Sequence, residues 1–431
     1  MPRRLVTSNT DFSTAFDDLI NCKSVNRYYI NELVSRIIAD VIDSGDLALL
    51  DYTRRFDFFD PIEIGLSIDN AEIKAAVARI DSDTRKSLEL AVERIENFHR
   101  RQLPKDFEIN EMLGVRVSMR WSAINSVGLY VPGGTAAYPS SVLMNSLPAK
   151  IAGVSRRVMM VPTPDGVVND LVLAAAHIAG VNEIWRIGGA QAIAALAYGT
   201  QTITKVDKIV GPGNAYVTAA KQHVFGKVGI DNLAGPSEIL VVADAQNNPH
   251  WIATDLLSQA EHDPLAQAIL VTDDKAFANS VATAVEDHLV TLPRIEIAEK
   301  SWRVYGAIIV TQSMEEIPEI VNRIAPEHLE LAIADPEAMA LQIRHAGAIF
   351  LGRFTPVALG DYLAGPNHVL PTAGTARFSS ALSVFDFMKY TTTVAADPKG
   401  LAYLGPAAIK LAEMEGLSAH ARSVAIRIEQ P

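Results

Sequence analysis

Cysteine is almost missing from this chain: there is one, Cys22, in 431 residues. A single thiol excludes an intramolecular disulfide and a cysteine-rich metal cluster. Positive charge is also short, with 38 Lys and Arg against 50 Asp and Glu and a formal balance of −12. A nucleic-acid binder needs a basic footprint and an anionic membrane repels an acidic surface, so neither partner is expected. No stretch reaches the roughly 18 unbroken apolar residues of a membrane span. The start, MPRRLVTSNTDF, has no apolar run of signal-peptide length behind its arginines. These absences point to a soluble, cytoplasmic protein. Also absent is GxGxxG after any candidate strand, the usual dinucleotide fingerprint.

What is present is core-forming material. Hydrophobic residues make up 49% of the chain, and its length allows two or more domains at about 100–200 residues each. The first hundred residues read as helical; Ile73, Ala76, Val77, Ile80, Leu88, Leu90, Val92 and Ile95 recur at helical spacing between Asn70 and Gln102. From about Val115 short β-rich runs alternate with helices. Candidate strands are VGLYV, RRVMMV, EIWRI, DKIVG, SEILVVAD, QAILVTD, GAIIVT and GAIFLG. Such alternation signals βαβ units and largely parallel sheets covered by helices. The register runs from about 127 to 352, long for one sheet, so two α/β domains are expected. Beyond Pro371 the chain is expected to return to helix.

Three glycine-rich corners each follow a candidate strand and open a helix: VPGGTAAYPSS (131–141), IGGAQA (187–192) and IVGPGNAY (209–216). Free backbone N–H groups at such helix starts can dock an anion, although glycines also serve merely to turn the chain. HWIATDLLSQAEHDP places Asp255, Ser258, Gln259 and His262 on one helix face, where Gln259 and His262 can reach one metal ion or simply face solvent. NRIAPEHLEL sets Glu327 beside His328. Both can exchange protons near neutral pH, and the alternative is that Pro326 and Glu327 only begin a helix. FTPVALGDYLAGPNHVLPT carries Asp361 and His368 in a stretch whose glycines and prolines predict a non-helical loop. Near the end, Glu415 and His420 flank a break at Gly416 between two helices, with Ser418 as a plausible N-cap.

These segments, in this order, resemble the histidinol dehydrogenase family from about Arg27 to Ile428. The most specific stretches are GLYVPGGTAAYPSSVLM, GGAQAIAALAYGT, KIVGPGNAYV, GIDNLAGPSEILVVAD, LLSQAEHDP, APEHLEL, GDYLAGPNHVLPT and RFSSALSVFDFMK. The corner at Ala136–Tyr138 departs from the family form, whereas the metal, base and nicotinamide positions do not. The resemblance implies an α/β fold with two larger domains resembling incomplete Rossmann units, aldehyde-dehydrogenase-like, plus small helical N- and C-terminal segments. It implies an N-terminal segment over 1–25 and a first α/β domain over 26–110 and 236–375 that carries the metal and base residues. An NAD-binding domain over 111–235 and a C-terminal helical segment over 376–431 complete the chain.

The implied activity is the NAD-dependent oxidation of L-histidinol to L-histidine through histidinaldehyde, the last step of histidine biosynthesis. Gln259, His262, Asp361 and His420 match the family's zinc ligands, and Glu327 and His328 its proton-transfer pair. Tyr130, Gln191 and Asn214 match its NAD contacts. Ser237, His368 and Glu415 match residues that hold substrate, as do the zinc ligands and His328. The resemblance also implies a homodimer with shared active sites, Glu415 and His420 serving the other subunit.

With its sole thiol remote from these motifs, the chain is expected to oxidise a hydrated aldehyde rather than a thiohemiacetal. His328 takes the hydroxyl proton in both steps, an ordinary histidine pKa of about 6.5 suiting that role, and Glu327 activates water. Zinc is expected to orient the substrate's amino and imidazole nitrogens or to stabilise developing negative charge, two roles that the sequence does not rank. The competing readings are a paralogous zinc/NAD dehydrogenase of another small polar alcohol, such as a sulfonated diol, and a non-catalytic two-domain solute-binding protein. NADP is not excluded by the sequence, since no acidic ribose-binding residue can be placed.

Overall fold

The computed structural model describes residues 2–21, 27–110, 113–133 and 138–429. Cys22 and the departure at Ala136–Ala137 lie outside the described residues. The strands are β1 (Arg3–Val6), β2 (Phe107–Asn110), β3 (Val115–Ala123), β4 (Ser126–Tyr130), β5 (Arg156–Met160), β6 (Glu183–Trp185), β7 (Lys208–Val210), β8 (Gly229–Ile230), β9 (Glu238–Ala243), β10 (Gln267–Thr272), β11 (Ala307–Val310), β12 (His328–Ala332), β13 (Ala348–Leu351) and β14 (Met388–Ala396).

Two parallel sheets form the body of the fold. One has the order β1-β11-β10-β9-β12-β13 and the other β6-β5-β4-β7-β8. Largely apolar runs explain this burial: every residue of β4, β9, β10 and β12 is buried, the polar Glu238, Gln267, His328 and Glu330 included, as parallel strands covered on both faces require. Along β9, Ile239, Val241 and Ala243 enter one core while Leu240 and Val242 enter the core on the opposite face. Along β5, Val158 and Met160 likewise face away from Met159 and Val161. The second sheet winds outward in both directions from β4, so its crevice opens between β4 and β7. Sheets of this winding bind ligands at the carboxyl ends of the strands there.

The two α/β layers match the expected fold class, but the packing of the N-terminal third differs from the expected grouping. β1 pairs with β11 and so extends the first sheet. The helices Arg27–Ser44 and Asp46–Phe56 instead cover the second sheet, through Val34, Ile37, Val41 and Leu49. The helices Asn70–Arg79 and Ser82–His99 cover its other face through Ile73, Ala76, Ala91 and Ile95. Residues 27–99 thus pack mainly with 111–235, and meet 236–375 only through the loop where Arg94 donates to the Leu363 and Ala364 carbonyls. Helical periodicity marks a face that must be buried; it does not say which sheet buries it.

The C-terminal region differs as well. It includes β14, nine residues paired antiparallel with β3, ahead of the helices Pro398–Met414 and Ser418–Glu429. Among the described residues no helix is long and apolar enough to cross a membrane.

Candidate active site

The helix Ile317–Ile324 ends at Ala325, which takes a left-handed conformation at φ 52. Pro326 and Glu327 then lead directly into β12, whose first residue is His328. The alternative that Pro326 and Glu327 begin a helix is therefore corrected: this segment starts a buried parallel strand. β12 lies beside β9, and the peptide of Glu238 at the start of β9 orients both candidate residues. The Glu238 N–H donates to Glu327 Oε2 at 2.8 Å, and the Glu238 carbonyl lies 2.9 Å from His328 Nδ1. A carbonyl only accepts, so Nδ1 carries a proton. When the ring is neutral, the lone pair is therefore on Nε2. That atom is buried without a hydrogen-bond partner among the described residues, 3.7 Å from Asp361 Oδ1.

Electrostatics bind this group together. Burial pushes the Glu327 carboxyl up to about 7, against the opposing pull of His328. Burial alone would lower the His328 pKa, but Glu327 and Asp361 outweigh it and push it up to about 9. The expectation of an ordinary histidine pKa is corrected accordingly. Burial would raise Asp361 too, yet His328 holds it below the usual carboxylate range. Desolvation lowers His262 and His368, each with Asp361 acting in the opposite direction.

Asp361 sits in a short helix, Val357–Tyr362, where a non-helical loop was expected. His368 follows in the loop, its Nδ1–H donating to the Asp361 carbonyl at 3.0 Å. The loop is anchored to the second α/β layer by Asn367, whose amide donates to the Met144 carbonyl at 2.7 Å. The helix Pro249–Ala260 carries Gln259, and His262 lies just past its end. Gln259 is only 2% exposed and Asp255 and Ser258 are half-buried, whereas His262 at the end of the face is exposed. Ser237 immediately precedes Glu238, and its carbonyl accepts the Gln267 N–H at 2.9 Å.

His262, Glu327, His328, Asp361 and His368 thus act on one another, with Gln259 and Ser237 on the same elements. Glu415 and His420 do not join them within one chain. Both are exposed on the terminal hairpin. That hairpin and the ribbon beneath it also expose Tyr390, Val394, Tyr403, Leu411 and Met414. The donors His262, Asp361 and Gln259 suit zinc in kind, being an imidazole and two oxygens. Among the described residues no group of three or more His, Cys, Asp and Glu is close enough to hold a metal ion.

The pairing of the buried Glu330 with the half-buried Asp255, behind the site, escaped the sequence reading, which named Asp255 only as part of a helix face. Glu330, two residues after His328 on β12, bonds side chain to side chain with Asp255 of the helix Pro249–Ala260. It also accepts the Val357 N–H at 2.6 Å, at the start of the Asp361 helix. Three elements carrying site residues therefore meet at one carboxyl, which burial first and Asp255 next hold well above its ordinary range. A charged residue inside an otherwise apolar strand was the available signal. Glu330→Leu is expected to destabilise the protein by about 2–5 kcal/mol, because it strands the Val357 N–H and Asp255. Glu330→Gln, which can serve both partners, should cost less than about 1 kcal/mol in denaturant melts.

The glycine-rich corners lie at the carboxyl ends of the second sheet. Tyr130 ends β4, and its hydroxyl accepts the Gly189 N–H at 3.1 Å. Gln191 is 1% exposed, and neither its amide oxygen nor its nitrogen has a partner among the described residues. Asn214 caps the helix Ala215–Val224, accepting from Tyr216 and Val217. Gly211 turns the chain beside β4 with φ 114, and a Cβ there would collide with the Tyr130 carbonyl. Behind this loop, Lys221 is buried in an ion pair with Asp231. Its Nζ donates to the carbonyls of Gly211 and Asn232, each at 3.0 Å, while Asp231 accepts the Gly211 N–H at 2.7 Å. Polar atoms without a partner among the described residues, beside a loop braced from behind, fit a bound dinucleotide.

Comparison with known proteins places the chain in one family. The family profile described as histidinol dehydrogenase matches residues 21–428. A histidinol dehydrogenase from Rhodospirillum rubrum is 60% identical over 431 residues, covering 100% of this chain and 99% of that one. One from Gluconobacter oxydans is 56% identical over 428 residues, covering 99% and 100%. The crystal structure of histidinol dehydrogenase from Elizabethkingia anophelis superposes with a TM-score of 0.93 at 37% identity, covering 99% of this chain and 98% of that one.

Proposed function

The chain belongs to the histidinol dehydrogenase family, oxidoreductases of histidine biosynthesis, and from that premise we propose how its residues divide the reaction. His328 Nε2 takes the hydroxyl proton of L-histidinol, and later that of the aldehyde hydrate; Tyr130, Gln191 and Asn214 would hold NAD, which would supply the hydride acceptor for both oxidations. The observation that carries this reading is the Glu238 carbonyl on Nδ1–H, which fixes the tautomer; Nε2 accepts only from the neutral ring, a form that the Glu327 and Asp361 charges oppose by holding the pKa at about 9 and that would gain ground as zinc takes up the Asp361 charge. Glu327, tethered to the N–H of the same residue, activates water against the intermediate aldehyde. Ser237 and His368 hold substrate. Relatives sharing the histidinol dehydrogenase name along the whole chain do not favour a different alcohol or a non-catalytic binding role. Replacing Glu327 with Gln is expected to impair aldehyde oxidation more than alcohol oxidation, by about 10- to 100-fold, in separate assays of the two substrates. Equal rates on both would remove Glu327 from the hydration step.

Gln259, His262 and Asp361 would hold zinc, with His420 as the fourth ligand. Bound zinc supplies orientation and a positive charge near the substrate's nitrogens and oxygen. His420 and Glu415 lie outside their own chain's site, so a second copy in a homodimer contributes them; the apolar surface left bare on the terminal hairpin supports such a partner. His262→Ala is expected to lose stoichiometric zinc, read by metal analysis of the purified protein, and full retention would contradict the ligand set.

Mixing provides a direct test of sharing. Chains bearing His328→Asn and chains bearing His420→Ala are each expected to be inactive, yet random hybrids would have one intact site and regain roughly a quarter of the activity. No recovery after verified subunit exchange would place His420 in its own chain's site.

A further inference from the structure

The carboxyl end of β5 has an unassigned buried acid. Asp57 follows the helix Asp46–Phe56, far from the glycine-rich corners in sequence, and is 5% exposed. Its carboxylate accepts the backbone N–H of Thr163, three residues past β5, while its carbonyl accepts the Asp165 N–H at 2.7 Å. Its Oδ2 is buried with no hydrogen-bond partner among the described residues, as are Thr163 Oγ1 and both amide atoms of Gln191. Asp57 is also close enough to Tyr130 for its charge to act on the phenol. A buried carboxylate oxygen left unpaired costs free energy and calls for a partner outside the chain.

Topology indicates what that partner is. In a sheet wound outward from its first strand, the dinucleotide lies across the crevice beside that strand, and an acid at the end of the second strand takes the adenosine ribose hydroxyl. Here β4 is the first strand and β5 the second, but β5 runs on into Val161, Pro162 and Thr163 without an acid. The helical segment before the domain brings one to that place.

We propose that Asp57 receives the 2′-hydroxyl of the adenosine ribose and that its charge disfavours a cofactor phosphorylated there. The proposal rests on the cofactor reading above, and it supplies the acid that the second strand itself lacks. Asp165, exposed on the adjoining turn, takes no part.

Binding titrations of the full-length protein with NAD, NADP and NAD lacking the adenosine 2′-hydroxyl test it. Wild type should bind NAD about 10- to 100-fold tighter than either other nucleotide, the range of one charge-assisted hydrogen bond. Asp57→Asn should bring the three to within about threefold, while Asp165→Asn keeps the wild-type differences. Burial raises the Asp57 pKa to about 6, above its unfolded value, so the acid loses stability as pH rises through that window and the amide does not. A wild-type protein indifferent to the 2′-hydroxyl, or an Asp57→Asn variant that keeps the wild-type differences, overturns the proposal alone. Wild type that binds none of the three overturns the cofactor reading with it.

Discussion

Replacing His328 with Asn lowers the oxidation of both L-histidinol and histidinaldehyde by about 100- to 10,000-fold, the range expected when a positioned general base is removed. Asparagine is small enough for the site and can still donate to the Glu238 carbonyl, so the strand pairing between β12 and β9 is kept. What disappears is the Nε2 lone pair, the one acceptor this arrangement leaves free. Zinc content should be unchanged, because His328 is outside the proposed ligand set. KM should move far less than kcat, since the lost interaction acts in the transition state. Steady-state assays on each substrate, with metal analysis of the same preparation, check the outcome. A loss confined to one half-reaction would assign the other proton transfer to a different group.

Asp231→Ala has the largest expected effect on stability. It leaves the Lys221 ammonium buried beneath the Gly211–Asn214 loop with only two carbonyls for company. Removing one partner of a buried pair costs about 3–5 kcal/mol, mostly the penalty of an uncompensated charge. The Gly211 N–H also loses its acceptor, so NAD affinity should fall together with the denaturation midpoint. Lys221→Met in the same chain removes the stranded charge and should recover most of the loss, as a double-mutant cycle will register. If Asp231→Ala melts like wild type, the pair is not what braces the cofactor loop.

The legible parts of this molecule were those governed by local pattern. The apolar runs of β4, β5, β9, β10 and β11 are long and bounded by turns, so their strand character is carried by adjacent residues alone. β12 was missed because Pro326 and Glu327 read equally well as a helix start; only the neighbouring β9 determines that HLELA pairs as a strand. β14 was missed for a similar reason, since an exposed ribbon has no buried alternation to display. The adjacency of Glu327 and His328 was visible in the sequence, whereas the peptide that orients them is ninety residues away at Glu238. Asp57, Asp255 and Glu330 are ordinary acids by composition. Their burial, and the unfilled oxygen on Asp57, exist only once distant segments meet.

The most direct measurement is the stoichiometry of a complete turnover, with limiting L-histidinol, excess NAD and zinc-loaded protein. Two NADH and one L-histidine per L-histidinol are expected, abolished by chelation and restored by zinc. One NADH with accumulating aldehyde, or none at all, would contradict the claim that a single base beside Glu238 serves both oxidations.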